Sequence, residues 1–411
     1  MERLISFAGL FVMIGIAWLL SARRRRIDWR IIVTGLALQL ALALVILRTS
    51  PGRAAFDWLG DLFAALLGFV DSGAGFVFGT ATPDGTRDTQ LLTSFAFGAL
   101  PTIIFFSSLM SILYHLNLMQ RAVRVAAVVM RRAMRLSGAE SLAVAGNIFL
   151  GQVVAPLVVR PYLANMTTSE LMVVMLTGFA TIAGGMMAAY VRMGIDAGHL
   201  VAASVISAPA AVVIAKIMQP EVDEPATRGR AATEEKVATV NLFDAATSGA
   251  LVGLKIALQV AAVIIAFLAL IAMAEFLFQW VLSQFGSALT LRDLLGYLFA
   301  PMAWMIGIPW ADCRTAGELL GLRLVSNEFI AYAELGQMIG QDNSPISARG
   351  EILLTYALCG FANFGSIGVQ LGGIGAAAPT RASDLARLGL RAMLGGMLAC
   401  FMTACVAGML L

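Results

Sequence analysis

The sequence predicts an all-α integral membrane protein with about eight transmembrane helices, two re-entrant helical hairpins and interfacial helices. Three observations predict it. First, 59% of the 411 residues are hydrophobic and 13% are charged, and the mean hydropathy is +0.85. Soluble chains run at roughly 45–50% apolar and about 25% charged. Half the usual charge does not cover a soluble globule of this size, and the apolar excess also excludes disorder. Second, the apolar residues form unbroken runs of helix length, whereas a transmembrane barrel alternates over ~10-residue strands. Third, two Gly-rich segments match each other across the chain, which points to an internal repeat.

The spans predicted in order are 4–20, 31–47, 93–114, 170–190, 199–217, 250–283, 351–379 and 390–411. The run 250–283 exceeds one crossing, so it starts along the interface or is strongly tilted. Residues 54–78 carry Asp57, Asp61 and Asp71 at helical spacing and read as an interfacial helix. Residues 120–136 do the same with Arg121, Arg124, Arg131, Arg132 and Arg135, and their charge suits anionic headgroups. Residues 140–165 and 298–340 are broken by Gly, Pro and polar residues. They read as re-entrant hairpins, which a membrane tolerates where protein buries them. The apolar stretch of residues 1–20 precedes its arginine cluster and reads as a retained first helix, not a leader.

Loop charge sets an expected orientation. Arg23, Arg24, Arg25, Arg26 and Arg30 place the first loop in the cytoplasm. Counting crossings from there puts 116–137, 218–247 (with Arg228, Arg230 and Lys236) and 380–391 (with Arg381, Arg387 and Arg391) on the same side. Both termini then lie outside. The net charge of +3 is scattered and makes no nucleic-acid patch. Cys313, Cys359, Cys400 and Cys405 lack metal or redox spacing, and His115 and His199 end apolar runs, so a zinc site is not expected.

The repeat pairs Gly178-Phe179-Ala180-Thr181 with Gly360-Phe361-Ala362-Asn363. Each lies in an apolar span and follows a broken stretch with a polar centre: Asn147 to Gln152 before the first, Ser326-Asn327-Glu328-Phe329 before the second. By this count three crossings separate the units, and an odd number inverts one relative to the other. Inverted-repeat transporters bind solute and ion near the midplane, where discontinuous helices unwind and free carbonyls and amides. The alternative for a single Gly-rich helix is close packing in lipid. Two matched helices, each with its own hairpin, favour a binding site. Glu328 stands in an apolar context, where a carboxylate is expensive and functional by default, and its oxygens suit a solute with vicinal hydroxyls. Arg160, beside Pro161 and Tyr162, reads as a snorkelling or structural residue.

These segments resemble the concentrative nucleoside transporters, a family of cation-coupled carriers. The resemblance covers nearly the whole chain. It is strongest at Gly151-Gln152 with Ala155-Pro156 and Arg160-Pro161-Tyr162, at Gly178–Thr181, at Asn327-Glu328-Phe329-Ile330-Ala331-Tyr332, and at Cys359–Asn363 with Ser366. It implies a homotrimer in a bacterial inner membrane and an elevator motion of a transport domain built from the two hairpin–helix units. The domain organisation expected is scaffold and interfacial helices over 1–137, the first repeat over 138–218, a cytoplasmic linker and long scaffold helix over 219–297, and the second repeat over 298–411. By motif match, Glu328, Asn363 and Ser366 would hold a ribose, Phe361 would line that site and Gln152 would meet the base. A sodium ion would be held by the Asn147 side chain, the Leu150 and Ile182 carbonyls and Thr181. These are hard oxygen donors without an ionisable group, which suits sodium better than proton coupling.

One departure stands out. Where most members carry Thr or Ser and then Glu after Gly-Gln, this chain has Val153 and Val154. A base expecting those partners loses roughly 1–3 kcal/mol per unpaired group. The expectation is therefore sodium-coupled nucleoside import with altered base recognition. Another ribosylated or hydroxylated solute, and weakened nucleoside transport, stay open. No Gly-x-x-x-x-Gly-Lys-Ser/Thr motif supports a primary pump, and no acid/base pair or metal cluster supports a membrane enzyme. The hairpins give a channel only superficial support.

Overall fold

The computed structural model describes residues 1–81, 87–88, 90–230, 232, 239–284, 289–339, 341 and 344–411. The chain is helical, with a two-residue antiparallel bridge pairing Thr80–Ala81 with Arg87–Asp88. The helices are α1 Glu2–Leu19, α2 Trp29–Arg48, α3 Ser50–Phe78, α4 Leu100–His115, α5 Leu118–Met134, α6 Gly138–Val158, α7 Arg160–Leu163, α8 Thr168–Ala180, α9 Gly184–Arg192 and α10 Ala197–Met218. They continue as α11 Leu242–Ser283, α12 Leu291–Ile306, α13 Cys313–Val325, α14 Glu328–Ile339, α15 Ala348–Leu358, α16 Phe364–Ala377 and α17 Ala382–Leu410.

Among the described residues, eight stretches are long and apolar enough to cross a membrane by length and composition. Seven coincide with spans expected from the sequence. The eighth is α3, which the sequence reading laid along the interface because of its three aspartates. Conversely, 351–379 is not one rod: it divides into α15 and α16, parted at residues 359–363. The expected hairpin at 298–340 also begins later. Residues up to Ile306 belong to α12, which Thr290 caps and which Gly307 ends in the left-handed region. The hairpin proper is α13–α14.

Burial separates the helices sharply. The most hydrophobic window of α10 is 89% buried, whereas that of the 42-residue α11 is 6% buried. Ala245, Gly249, Gly253 and Ala257 form the single buried stripe of α11, and it lies against α4. At about 1.5 Å per residue α11 is ~63 Å long, about twice a bilayer's hydrocarbon core. In α5, Val123, Met130 and Met134 face inward while Arg121, Arg124, Arg132 and Arg135 are exposed, the two-faced pattern of an interfacial helix.

The core is the repeat. α6 folds back on itself at Gly151, whose φ of 73° is a left-handed conformation that glycine adopts without penalty. Thr181–Ala183 are extended and separate α8 from α9. The second unit repeats the plan: α13 and α14 meet at Ser326–Asn327, and α15 and α16 part at Gly360, with φ 105°. A side chain at Gly360 would lie 2.4 Å from the Phe179 carbonyl oxygen. The two broken helices therefore cross at their breaks, and α10 and α17 pack behind them.

Candidate functional site

Glu328 begins α14 and is 3% exposed. One carboxylate oxygen accepts from the Tyr190 hydroxyl at 3.2 Å, and the other from Asn363 Nδ2 at 2.9 Å. Asn363 caps α16: its Oδ1 accepts from the Ser366 amide at 2.8 Å. This cap fixes the Asn363 side chain, because Oδ1 must face an N–H and Nδ2 must face the carboxylate. Ser366 Oγ accepts from Gln152 Nε2 at 3.4 Å, which brings the first hairpin to the second broken helix. Phe361, 8% exposed, lies in the break, where its carbonyl accepts from the Asn363 amide at 2.9 Å in a tight turn. The structure thus gathers Glu328, Asn363, Ser366, Gln152 and Phe361 from four elements around the crossing of the two breaks.

The other cluster lies around Asn147. Its side chain is fully buried and donates from Nδ2 to Thr177 Oγ1 at 2.9 Å, while its Oδ1 is buried with no hydrogen-bond partner among the described residues. A buried, unpartnered acceptor is costly. Here it faces the chemistry a hard cation needs. Thr181 spends its hydroxyl proton on the Thr177 carbonyl at 2.8 Å, which leaves its oxygen's lone pairs as acceptors. Ile182 is fully buried and Leu150 half-buried beside the Gly151 turn, where a side chain on Gly151 would collide with Ala183. Asn147, Leu150, Thr181 and Ile182 are thus carried by the hairpin tip and the first break, which touch. The residues fit sodium in kind: neutral oxygen donors with one buried acceptor unsatisfied by protein.

Val153's side chain and Lys236 lie outside the described residues. Val154 is 36% exposed and lines a cavity of about 450 Å³ between the first hairpin and the scaffold helices. Leu157, Met110, Val252 and Ile256 share that wall, and neither Gln152 nor Glu328 does. Val154 is therefore not brought into the Glu328 cluster. Arg160 begins the short α7 and borders the same cavity, away from Glu328.

Four residues went unnoticed in the sequence. Tyr190 binds Glu328 and lies against the Tyr332 ring, centroids 4.5 Å apart. Thr177 holds Asn147. Gln370, 1% exposed, donates to Gln152 Oε1 at 3.1 Å and to the Met175 carbonyl at 3.0 Å. Arg323, 1% exposed, donates to the carbonyls of Ala357 (2.5 Å), Cys359 (3.3 Å) and Gly360 (3.2 Å). It replaces the helical partners that α15 loses at its break. A signal existed for two of them. Arg323 is a cation five residues before Glu328 in the same hairpin, and Gln370 is an amide inside an apolar helix on the face of Asn363 and Ser366.

Comparison with known proteins agrees with this architecture. Residues 199–408 match the family model described as the Na+ dependent nucleoside transporter C-terminus, 8–81 its N-terminus, and 96–197 a model described as nucleoside recognition. The chain is 43% identical over 422 residues to the Mus musculus Sodium/nucleoside cotransporter 1, which matches 100% of this chain and 64% of that protein. It is 42% identical to the Rattus norvegicus Solute carrier family 28 member 3, over 100% of this chain and 59% of that one. The chain thus spans less than two thirds of the length of these relatives. Among solved structures, CNTnw in an inward-facing substrate-bound state superposes with a TM-score of 0.92 at 38% identity, covering 100% of this chain and 98% of the other. A CNTnw double variant in an outward-facing state gives 0.93 at 38% identity, covering 100% and 99%. On these matches and the doubled hairpin–helix architecture, the chain belongs to the Na+ dependent nucleoside transporter family.

Proposed function

We propose that the chain imports nucleosides across a bacterial cytoplasmic membrane by sodium symport. The observation that carries this reading is the continuous buried cluster of Glu328, Asn363, Ser366 and Gln152 across the two breaks, with the unpartnered Asn147 oxygen on the same hairpin. Glu328 offers acceptors to the vicinal hydroxyls of a ribose, and Asn363 and Ser366 complete that contact. Phe361 lines it and Gln152 meets the base. Sodium, held by Asn147, Leu150, Thr181 and Ile182, supplies a charge that braces the hairpin tip against the first break. Gln152 belongs to that tip, so ion and solute each favour the other's site, which is what coupling requires. The chemistry is transport without bond making, so the reading is not an enzyme.

The moving body comprises 138–218 and the repeat within 298–411; 1–137 and 219–297 supply the scaffold and linker. Alternation between inward- and outward-facing states, as named for CNTnw, supports an elevator. The exposed apolar length of α11 supports a homotrimer, since a helix so little covered by its own chain needs lipid or a second copy. The interfacial placement of α3 rests on exposed Asp57 and Asp61, and the arginine-rich first loop supports termini outside the cell.

The test is uptake into proteoliposomes with sodium outside, then with choline. Nucleoside accumulation should need sodium and collapse in choline. Equal uptake in both would remove sodium coupling. A second reading, a carrier for a different hydroxylated solute, is favoured by one observation: Val154, where the resemblance expects a polar base contact, lies on an apolar wall apart from Gln152 and Glu328.

A further inference from the structure

We infer that Gln370 is a positioning residue that sets which edge of a nucleobase the protein accepts, and that it favours bases presenting a carbonyl over bases presenting an amino group. The inference rests on the proposed meeting of Gln152 with the base.

The Met175 carbonyl oxygen can only accept a hydrogen bond. Gln370 approaches it at 3.0 Å, so the atom it offers there must be Nε2, and this fixes the amide of Gln370. The same Nε2 lies 3.1 Å from Gln152. Two amide nitrogens facing each other would clash donor against donor, so Gln152 must turn Oε1 toward Gln370. Its Nε2 then points the other way, to Ser366 Oγ at 3.4 Å.

A second chain runs in from the opposite side. The Glu328 carboxylate, when ionised, is acceptor-only and takes Asn363 Nδ2, so Asn363 Oδ1 must take the Ser366 amide. Polarity is therefore imposed from Met175 at one end and Glu328 at the other. The two chains meet at Ser366.

The consequence falls on Gln152. A free glutamine side chain reads a base with either face of its amide, since a half-turn exchanges acceptor for donor. Here the acceptor face is already engaged by Gln370, and Gln370 is itself held by the backbone. The oxygen end is turned toward the buried Gln370 and the Nε2 end toward Ser366, the residue proposed to meet the solute, so the end that Gln152 presents on the solute side is N–H. Gly178 closes off the remaining space: a side chain there would lie 2.9 Å from Gln152 Cβ and 2.8 Å from Gln370 Nε2, so both amides are packed against α8. Gln370 Oε1 is buried without a partner among the described residues, so the amide is held in this sense by the geometry of its two acceptors at the cost of its own oxygen. The base edge facing Gln152 should accept a hydrogen bond. Uracil and hypoxanthine carry a carbonyl where cytosine and adenine carry an amino group.

The experiment measures uptake in sodium of two matched pairs, uridine with cytidine and inosine with adenosine, for the wild type and for Gln370→Met. Methionine keeps the volume and removes the donor. In the wild type the oxo member of each pair should be favoured about tenfold in the ratio of kcat to KM, carried by KM, as expected for a mispaired polar contact. In Gln370→Met the amide of Gln152 is free to turn, so each ratio should fall to within about twofold while the sodium requirement persists. The wild-type ratio is informative even where the variant fails to fold. Equal uptake within both wild-type pairs, or an unchanged ratio in Gln370→Met, overturns the assignment of Gln370 and leaves nucleoside transport standing. No uptake of any of the four by the wild type overturns both.

Discussion

The two hairpin–helix units share one plan and treat polarity in opposite ways. Around the first break the polar groups are neutral: Asn147, Thr177 and Thr181, with carbonyls between them. Around the second break they are charged: Glu328, paired with Asn363 and Tyr190, and Arg323, anchored on three carbonyls. The backbone problem is the same in both, since each break frees carbonyls that need partners. In the second unit a guanidinium satisfies them permanently. In the first, a buried amide oxygen, Asn147 Oδ1, has no partner among the described residues. The unit that supplies its own cation closes its break from within, beside the Glu328 carboxylate. In the proposed function, the unit without one takes an ion from solution. On that proposal, one repeated fold divides labour between ion and solute without changing its topology.

The strongest way to break this comparison is Arg323→Met. It leaves the carbonyls of Ala357, Cys359 and Gly360 without their guanidinium partner. Leaving a buried acceptor unsatisfied costs about 1–3 kcal/mol per group, visible as a lower unfolding temperature in detergent. Combining it with Glu328→Gln should lose less than the sum of the single changes. Strict additivity would show that the two charges are uncoupled.

Glu328→Gln and Asn147→Ala sharpen the division of labour. Glu328→Gln should reduce uptake about a hundredfold, from the roughly 2–5 kcal/mol attached to a buried charged contact, with little change in the sodium concentration giving half-maximal rate. Asn147→Ala should do the reverse: about tenfold more sodium for half-maximal rate, and near-normal solute affinity at saturating sodium. An exchanged pattern would mean that the neutral unit holds the solute.

Val153→Thr combined with Val154→Glu restores polar groups to the first hairpin. Uptake of a pyrimidine nucleoside should rise by about one decade if those groups reach the base. No change would mean that the cavity beside Val154 is separate from the solute's path.

The smallest effects are at the outer ends of the broken helices. Thr167→Ala and Ser347→Ala each remove an N-cap, worth about 1 kcal/mol. The first should cost more, because Thr167 and Glu170 form a reciprocal capping box, whereas Ser347 caps with its side chain alone. Thermal unfolding distinguishes them.

Much of this was legible in order along the chain. Apolar runs and arginine clusters located most helices, because lipid imposes length and hydropathy residue by residue. Gly151, Thr181, Gly360 and Asn363 marked the breaks, because a glycine or short polar side chain inside a span is a local anomaly. The placement of α3 was not settled by its aspartates, since a 29-residue helix of that hydropathy also satisfies the length of a crossing. The division of 351–379 followed from local residues, but its extent depended on Arg323 reaching 34 to 37 residues along the chain to cap it.

By itself, the sequence determined the membrane setting, the doubled unit and the acid at its centre, because each is written in composition or in short motifs. Only the tertiary structure decided which amides face each other. Gln152 and Gln370 are 218 residues apart, and the direction of a hydrogen bond between two amides is set by what lies on their far sides. That orientation follows from the Met175 carbonyl and the Glu328 carboxylate, two acceptors that meet a shared site when the two broken helices cross.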